Sequence, residues 1–136
     1  MNKCVILIDE NLPLGLIANT AAVLGSSFGK MFPDNIGDDN FDKDNNIHKG
    51  IVNVPISILK SNKTSLSEMK SKLSLTDQNS IHIVDFCDVA QTCNDYEDYT
   101  KKLSTSVAND IEYLGILIYG DKKTVTSLTG SFPLLR

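Results

Sequence analysis

Val5-Ile6-Leu7-Ile8, closed by Asp9-Glu10 and then broken by Asn11, Pro13 and Gly15, is the stretch on which the fold turns. A continuous apolar run rich in β-branched residues reads as a strand buried on both faces, the kind found inside a sheet with helices on either side. A helix is expected next. Leu14, Ile17, Ala21, Leu24 and Phe28 share one stripe at helical spacing, and Ala18, Ala22, Gly25 and Gly29 form an adjacent stripe of small residues suited to close approach to the sheet. Gly25 or Gly29 is expected to end the helix in a left-handed conformation. Asn19 falls beside Ser26 on the helical wheel, at the border of the buried stripe.

Further along, residues 33–50 carry Asp34, Asp38, Asp39, Asp42 and Asp44, with only Ile36, Phe41 and Ile47 to bury. This is a long loop, either functional, anchored by those three residues, or mobile. Val52, Val54, Ile56 and Ile58 then alternate with polar positions and Pro55, which marks an edge strand or a bulge. Ser65 with Glu68 forms a capping box for a short helix, and Asn94 with Glu97 opens another. Residues 81–86 and 113–119 complete the strands, the latter apolar enough to be central. Asp121 is expected to cap a last helix carrying Val125 and Leu128. Strands alternating with helices predict a three-layer α/β domain over residues 1–136.

The chain has 136 residues, 13 Lys and Arg, 17 Asp and Glu, and a formal net charge of −4. A single core is affordable at this length without disulfide or metal staples. An acidic chain gains little long-range attraction to nucleic acid or an anionic membrane surface, and no apolar run is long enough for a membrane span. No apolar leader precedes the first strand, so cytosol is the expected compartment. Cys4, Cys87 and Cys93 contain no CxxC pair, and with His48 and His82 they lack metal-ligand spacing. No metal or cofactor is expected. GxSxG, HExxH, GxxxxGK[ST] and GxGxxG are all absent.

Ligands of open α/β sheets sit beyond the carboxyl ends of strands. Three polar clusters follow the apolar runs: Asp9, Glu10 and Asn11; Asp85, Asp88 and Gln91; and Gly120, Asp121, Lys122 and Lys123. If the first and last strands are neighbours, carboxylates of the first cluster are expected to face the lysines of the third. The candidate site is therefore Asn19, Asp88, Gln91, Lys123 and Thr129. Asp88 would accept a hydrogen bond or a proton and Lys123 would supply positive charge, as the candidate catalytic pair. Asn19 would hold an amide or carboxylate group, with Gln91 and Thr129 orienting it.

Residues 3–10, 12–25 and 84–91, with Tyr113-Leu114-Gly115-Ile116 and the ending 128–136, together resemble the domain-of-unknown-function two thousand family over almost the whole chain. That family is similar in fold to peptidyl-tRNA hydrolase II, which implies a three-layer α/β/α domain around a mixed four-stranded sheet. The family has no established activity. Peptidyl-tRNA hydrolase II enzymes carry a lysine in a glycine-rich turn before the first helix, and their catalysis is ascribed to it with an aspartate and a threonine. Here the matching turn is Leu12-Pro13-Leu14-Gly15-Leu16, without lysine, while the aspartate has a counterpart in Asp88, followed by Gln91 and Thr92. The resulting expectation is a small-molecule- or peptide-binding domain, with nucleic acid and membrane not expected as partners. The alternative is a hydrolase of an ester or amide bond in an aminoacyl- or peptidyl-RNA-like substrate, with Asp88 activating water and Lys122 or Lys123 stabilising the anion that develops. The edge strand near Pro55 and the apolar tail 132–135 both need a cover, supplied by the chain itself or by a second copy in a homodimer.

Overall fold

A computed structural model describes residues 1–77 and 79–136. In chain order the elements are β1 (Asn2–Asp9), α1 (Leu14–Met31), the two-residue strands β2 (Asn40–Phe41) and β3 (Ile47–His48), β4 (Ile56–Ser61), α2 (Lys63–Leu73), β5 (Ile81–Cys87), α3 (Asp88–Gln91), α4 (Tyr96–Ser104), β6 (Tyr113–Asp121) and α5 (Lys122–Thr129). The main sheet is mixed and four-stranded in the order β4-β1-β6-β5. β1 runs parallel to β4, whereas β6 runs antiparallel to both β1 and β5.

The two apolar runs occupy the two central strands because only there are both faces of a strand covered. On one face Ile6, Ile8, Leu117 and Tyr119 meet Leu24 and Phe28 of α1. On the other, Val5, Leu7, Ile116 and Ile118 meet Leu66, Met69 and Leu73 of α2 and Val125 of α5. The helix-to-sheet contact of α1 is not the expected stripe of small residues. Ala18 and Ala22 are exposed, and nothing lies within 4 Å of where a Cβ on Gly25 would be. Leu14 is 83% exposed, and Thr20 is fully buried in its place, its hydroxyl donating to the Leu16 carbonyl at 2.7 Å. No glycine has positive φ, and the helix runs on to Met31.

Close approach occurs instead from the strand side, at Gly115. A Cβ there would stand 2.7 Å from Thr20 Cγ2, 3.0 Å from the Leu7 carbonyl oxygen and 3.2 Å from Leu24 Cδ1. Gly115→Ala should therefore push α1 off the sheet and cost about 1–3 kcal/mol. Urea unfolding measures this, and an unchanged midpoint would show that α1 is not seated there.

Asn62, not Ser65, caps α2, accepting from the Ser65 N–H at 2.9 Å, and Asp95, not Asn94, caps α4 through the Asp98 N–H. Asp121 caps α5 through the Thr124 N–H at 3.2 Å. The acidic loop is not anchored by burial of Ile36, Phe41 and Ile47, which are all exposed; backbone pairing and polar contacts hold it instead, with Ile36 bridged to Val52 and Asp42 tying the β2–β3 hairpin. The tail closes the open edge of β4, where the Lys60 N–H donates to the Pro133 carbonyl at 2.9 Å and the Leu135 N–H to the Ile58 carbonyl at 3.0 Å. The same chain thus covers the edge strand, while the tail is partly buried at Phe132 and Leu135 and leaves Leu134 49% exposed. Among the described residues no helix is long and apolar enough to cross a membrane.

Candidate functional site

β1, β4 and β5 share one direction, so their carboxyl ends lie at one end of the sheet, together with the start of the antiparallel β6. A hollow of about 270 Å³ opens there, lined by Asp9, Leu12, Leu16, Lys63, Asp88, Gln91, Thr92, Glu112, Tyr113 and Leu114. This is where strand direction places ligands in α/β sheets.

Asp9 ends β1 and is only 1% exposed. Its Oδ1 accepts from the Asn11 N–H at 3.0 Å, and no described residue donates to its other oxygen. No cation among the described residues pairs with it, although burial of a carboxylate costs several kcal/mol unless it is compensated. Its register partner on β4 is Ser61, 3% exposed, whose hydroxyl has no hydrogen-bond partner among the described residues. Of these two groups the Ser61 hydroxyl is the buried polar atom without a partner among the described residues, and it calls for an explanation.

Asp88 follows β5. Its Oδ1 accepts from the Val89 N–H at 2.9 Å and the Glu112 N–H at 3.2 Å, while its own N–H donates to the Glu112 carbonyl at 2.9 Å. These bonds clamp the end of β5 to the start of β6 and leave Oδ2 without a donor among the described residues. A bulge adjoins them: Phe86 pairs with Gly115 but Cys87 with Tyr113, so Leu114 is an extra residue on β6. The slip turns Leu114 toward the α1 face and Tyr113 toward the α2 face, as bulges beside sites do. Lys70 then stands 5.8 Å over the Tyr113 ring while pairing with Asp85 at 2.9 Å. Burial, with the Asp85 charge second, holds the Tyr113 phenol above its ordinary pKa of 10.0. Lys63 pairs with Glu112 at 3.2 Å on the rim.

Of the five residues expected to converge, only Asp88 and Gln91 line this hollow. Lys123 lies at the other end of the sheet: β6 is antiparallel to β1, so Asp121 pairs with Asn2 rather than approaching Asp9. Nine strand residues, roughly 25–30 Å of chain, intervene. Thr129 is buried at the end of α5, donating to the Val125 carbonyl at 2.7 Å. Asn19 is exposed on α1 rather than bordering the core. Asp9, Lys63 and Glu112 take the places these residues were expected to fill.

A model of the family described as Protein of unknown function (DUF2000) matches residues 2–136. The chain belongs to the DUF2000 family. None of the curated proteins compared with it matches. A solved structure of a protein of unknown function from Agrobacterium tumefaciens strain C58 is similar to it with a TM-score of 0.86 and 16% identity, over 98% of this chain and 96% of that one. At that identity the likeness shows a shared fold and no more.

A larger groove of this DUF2000 chain, about 400 Å³, runs between α1 and α4 beside β5, past Val84, Tyr96 and Tyr99. Its acids are engaged, Asp85 with Lys70 and Asp95 as the cap of α4, and no buried unpaired polar atom lines it. Neither buried thiol is poised as a nucleophile. Burial pushes Cys4 up to about 12 and raises Cys87 as well.

Far from the hollow, Asp42 accepts from the N–H groups of Asp44 and Asn46 and contacts His48 Nε2 at 3.0 Å. The His48 contact first, then the Asn46 N–H, lowers its pKa below 3.8. A depressed carboxylate pKa favours the ordered hairpin above the unfolded value and ceases to do so as pH falls through the folded one. NMR amide shifts of Asp44 and Asn46 should accordingly hold at neutral pH and move with a midpoint below 3.8. A midpoint at or above that value would contradict the hairpin's geometry.

Proposed function

We propose that the protein is a small-molecule- or peptide-binding domain with a peptidyl-tRNA hydrolase II-like fold, and that its site is the hollow at the carboxyl ends of β1 and β5. The observation that carries this reading is Asp9: a carboxylate 1% exposed, lining a cavity, with one backbone hydrogen bond and no cation. Incompletely paired titratable groups in clefts cluster at functional sites. In this reading Asp9 and Asp88 hold the polar end of a ligand, Gln91 orients it at the rim, and Leu12, Leu16 and Leu114 take its apolar part.

The hydrolase reading needs a cation beside Asp88 to stabilise a developing anion. Lys122 and Lys123 belong to the far end of the sheet, and Lys63 is engaged by Glu112, so binding is the better supported of the two. The peptidyl-tRNA hydrolase II likeness draws support from the mixed four-stranded sheet covered on both faces and from the place of Asp88 after β5. A fragment library screened by amide NMR tests the site. Hits should shift Leu12, Leu16, Asp88 and Leu114 together; hits that gather only in the α1–α4 groove would move the site elsewhere.

A further inference from the structure

Resting on that reading of the hollow, we infer that its ligand presents a protonated primary amine on a short apolar body, either as a free amine or as the amino terminus of a peptide. Two carboxylate oxygens are left open. One belongs to Asp9, whose Oδ1 is taken by the Asn11 N–H; the other belongs to Asp88, whose Oδ1 is taken by Val89 and Glu112. Both residues line the same cavity. The third acid there, Glu112, pairs with Lys63 at the exposed rim.

The open atoms are carboxylate oxygens, which accept hydrogen bonds. A carboxylate or phosphate would meet like charge, and a hydroxyl offers a single donor. An ammonium offers three donors and the missing positive charge. A bare metal ion fits less well, since among the described residues no three His, Cys, Asp or Glu side chains are grouped closely enough to hold one. The buried Ser61 hydroxyl, beside Asp9 in the register, has no partner among the described residues, but Ser61 does not itself line the hollow. Leu12, Leu16 and Leu114 supply apolar lining, and about 270 Å³ lies below the usual range for drug-sized ligands, which limits the amine to a small apolar body.

The probes are leucinamide, N-acetyl-leucinamide, isovalerate and the peptide Leu-Gly-Gly, titrated into the full chain at neutral pH by calorimetry, with amide NMR to locate them. Leucinamide should bind in the hollow, and acetylation of its amine should weaken binding at least tenfold. Asp9→Asn and, separately, Asp88→Asn should each weaken it at least tenfold, with melting curves confirming that each variant is folded; both substitutions keep the Oδ1 acceptor. Leu-Gly-Gly binding as well as leucinamide assigns a peptide terminus, and leucinamide binding alone assigns a free amine. If isovalerate or the acetylated probe shifts the hollow while leucinamide does not, the amine assignment is overturned and the site stands. If no probe and no fragment shifts it, both fall.

Discussion

Phe28→Ala should lower stability by about 3–5 kcal/mol, the range for truncating a buried aromatic residue. Phe28 is 1% exposed, and its ring stands 4.9 Å from that of Tyr119 and 5.7 Å from that of Phe32. It therefore joins α1 to the central strand β6 and to the turn that leaves the helix. Tyr119 is held from the far side by Asn2 and Asn35, whose side-chain amides donate to its hydroxyl at 3.2 and 3.1 Å. That network cannot close inward to fill the space left by the ring, so most of the cavity penalty should remain. For a domain of this size the loss corresponds to a fall in Tm of roughly 10–20 °C. A fall of only a few degrees would mean that α1 is not docked through Phe28.

Ending the chain at Ser131 should have an effect of similar size and a different character. Phe132 packs on the α2–α5 face and Leu135 on the α1 face, each partly buried, so their burial is worth less than the about 3–6 kcal/mol of two fully buried side chains. The shortened chain also loses the hydrogen bonds from Lys60 and Leu135, which leaves β4 as an open edge with Ile56, Ile58 and Leu59 beside it. Bare edges of this kind pair with other chains. The shortened protein should melt lower and associate as its concentration rises, as sedimentation would show. A monomeric product with unchanged Tm would contradict the role assigned to the tail.

The central strands were legible in the sequence because burial on both faces leaves a run with no polar position, as in Val5–Ile8 and Leu114–Tyr119. Asp121 was legible as a cap because its side chain answers a local backbone need. What periodicity does not carry is strand direction. Lys123 was expected near Asp9 on the assumption that the last strand runs with the first, and the antiparallel pairing sends it to the opposite end. The same reversal hid Glu112, which precedes its strand and so escaped a search confined to residues that follow strands. Ser61 and Lys63 escaped because the alternation from Val52 to Ile58 ends where β4 still has three residues to run. On α1, Thr20 is buried although polar because its hydroxyl returns to the Leu16 carbonyl, and Leu14 projects into solvent at the helix start. A hydrophobic wheel misplaces both.

Under the proposed function Asp9 is a buried carboxylate that the fold tolerates rather than needs. Asp9→Asn keeps the acceptor for the Asn11 N–H and removes the uncompensated charge, a change that stabilises sites held for function. The thermal melting temperature of Asp9→Asn at neutral pH, without ligand, is the direct measurement. The prediction is a rise of a few degrees, on the order of 1 kcal/mol. A fall of that size or more would show that the carboxylate holds the fold together and is not kept for a ligand.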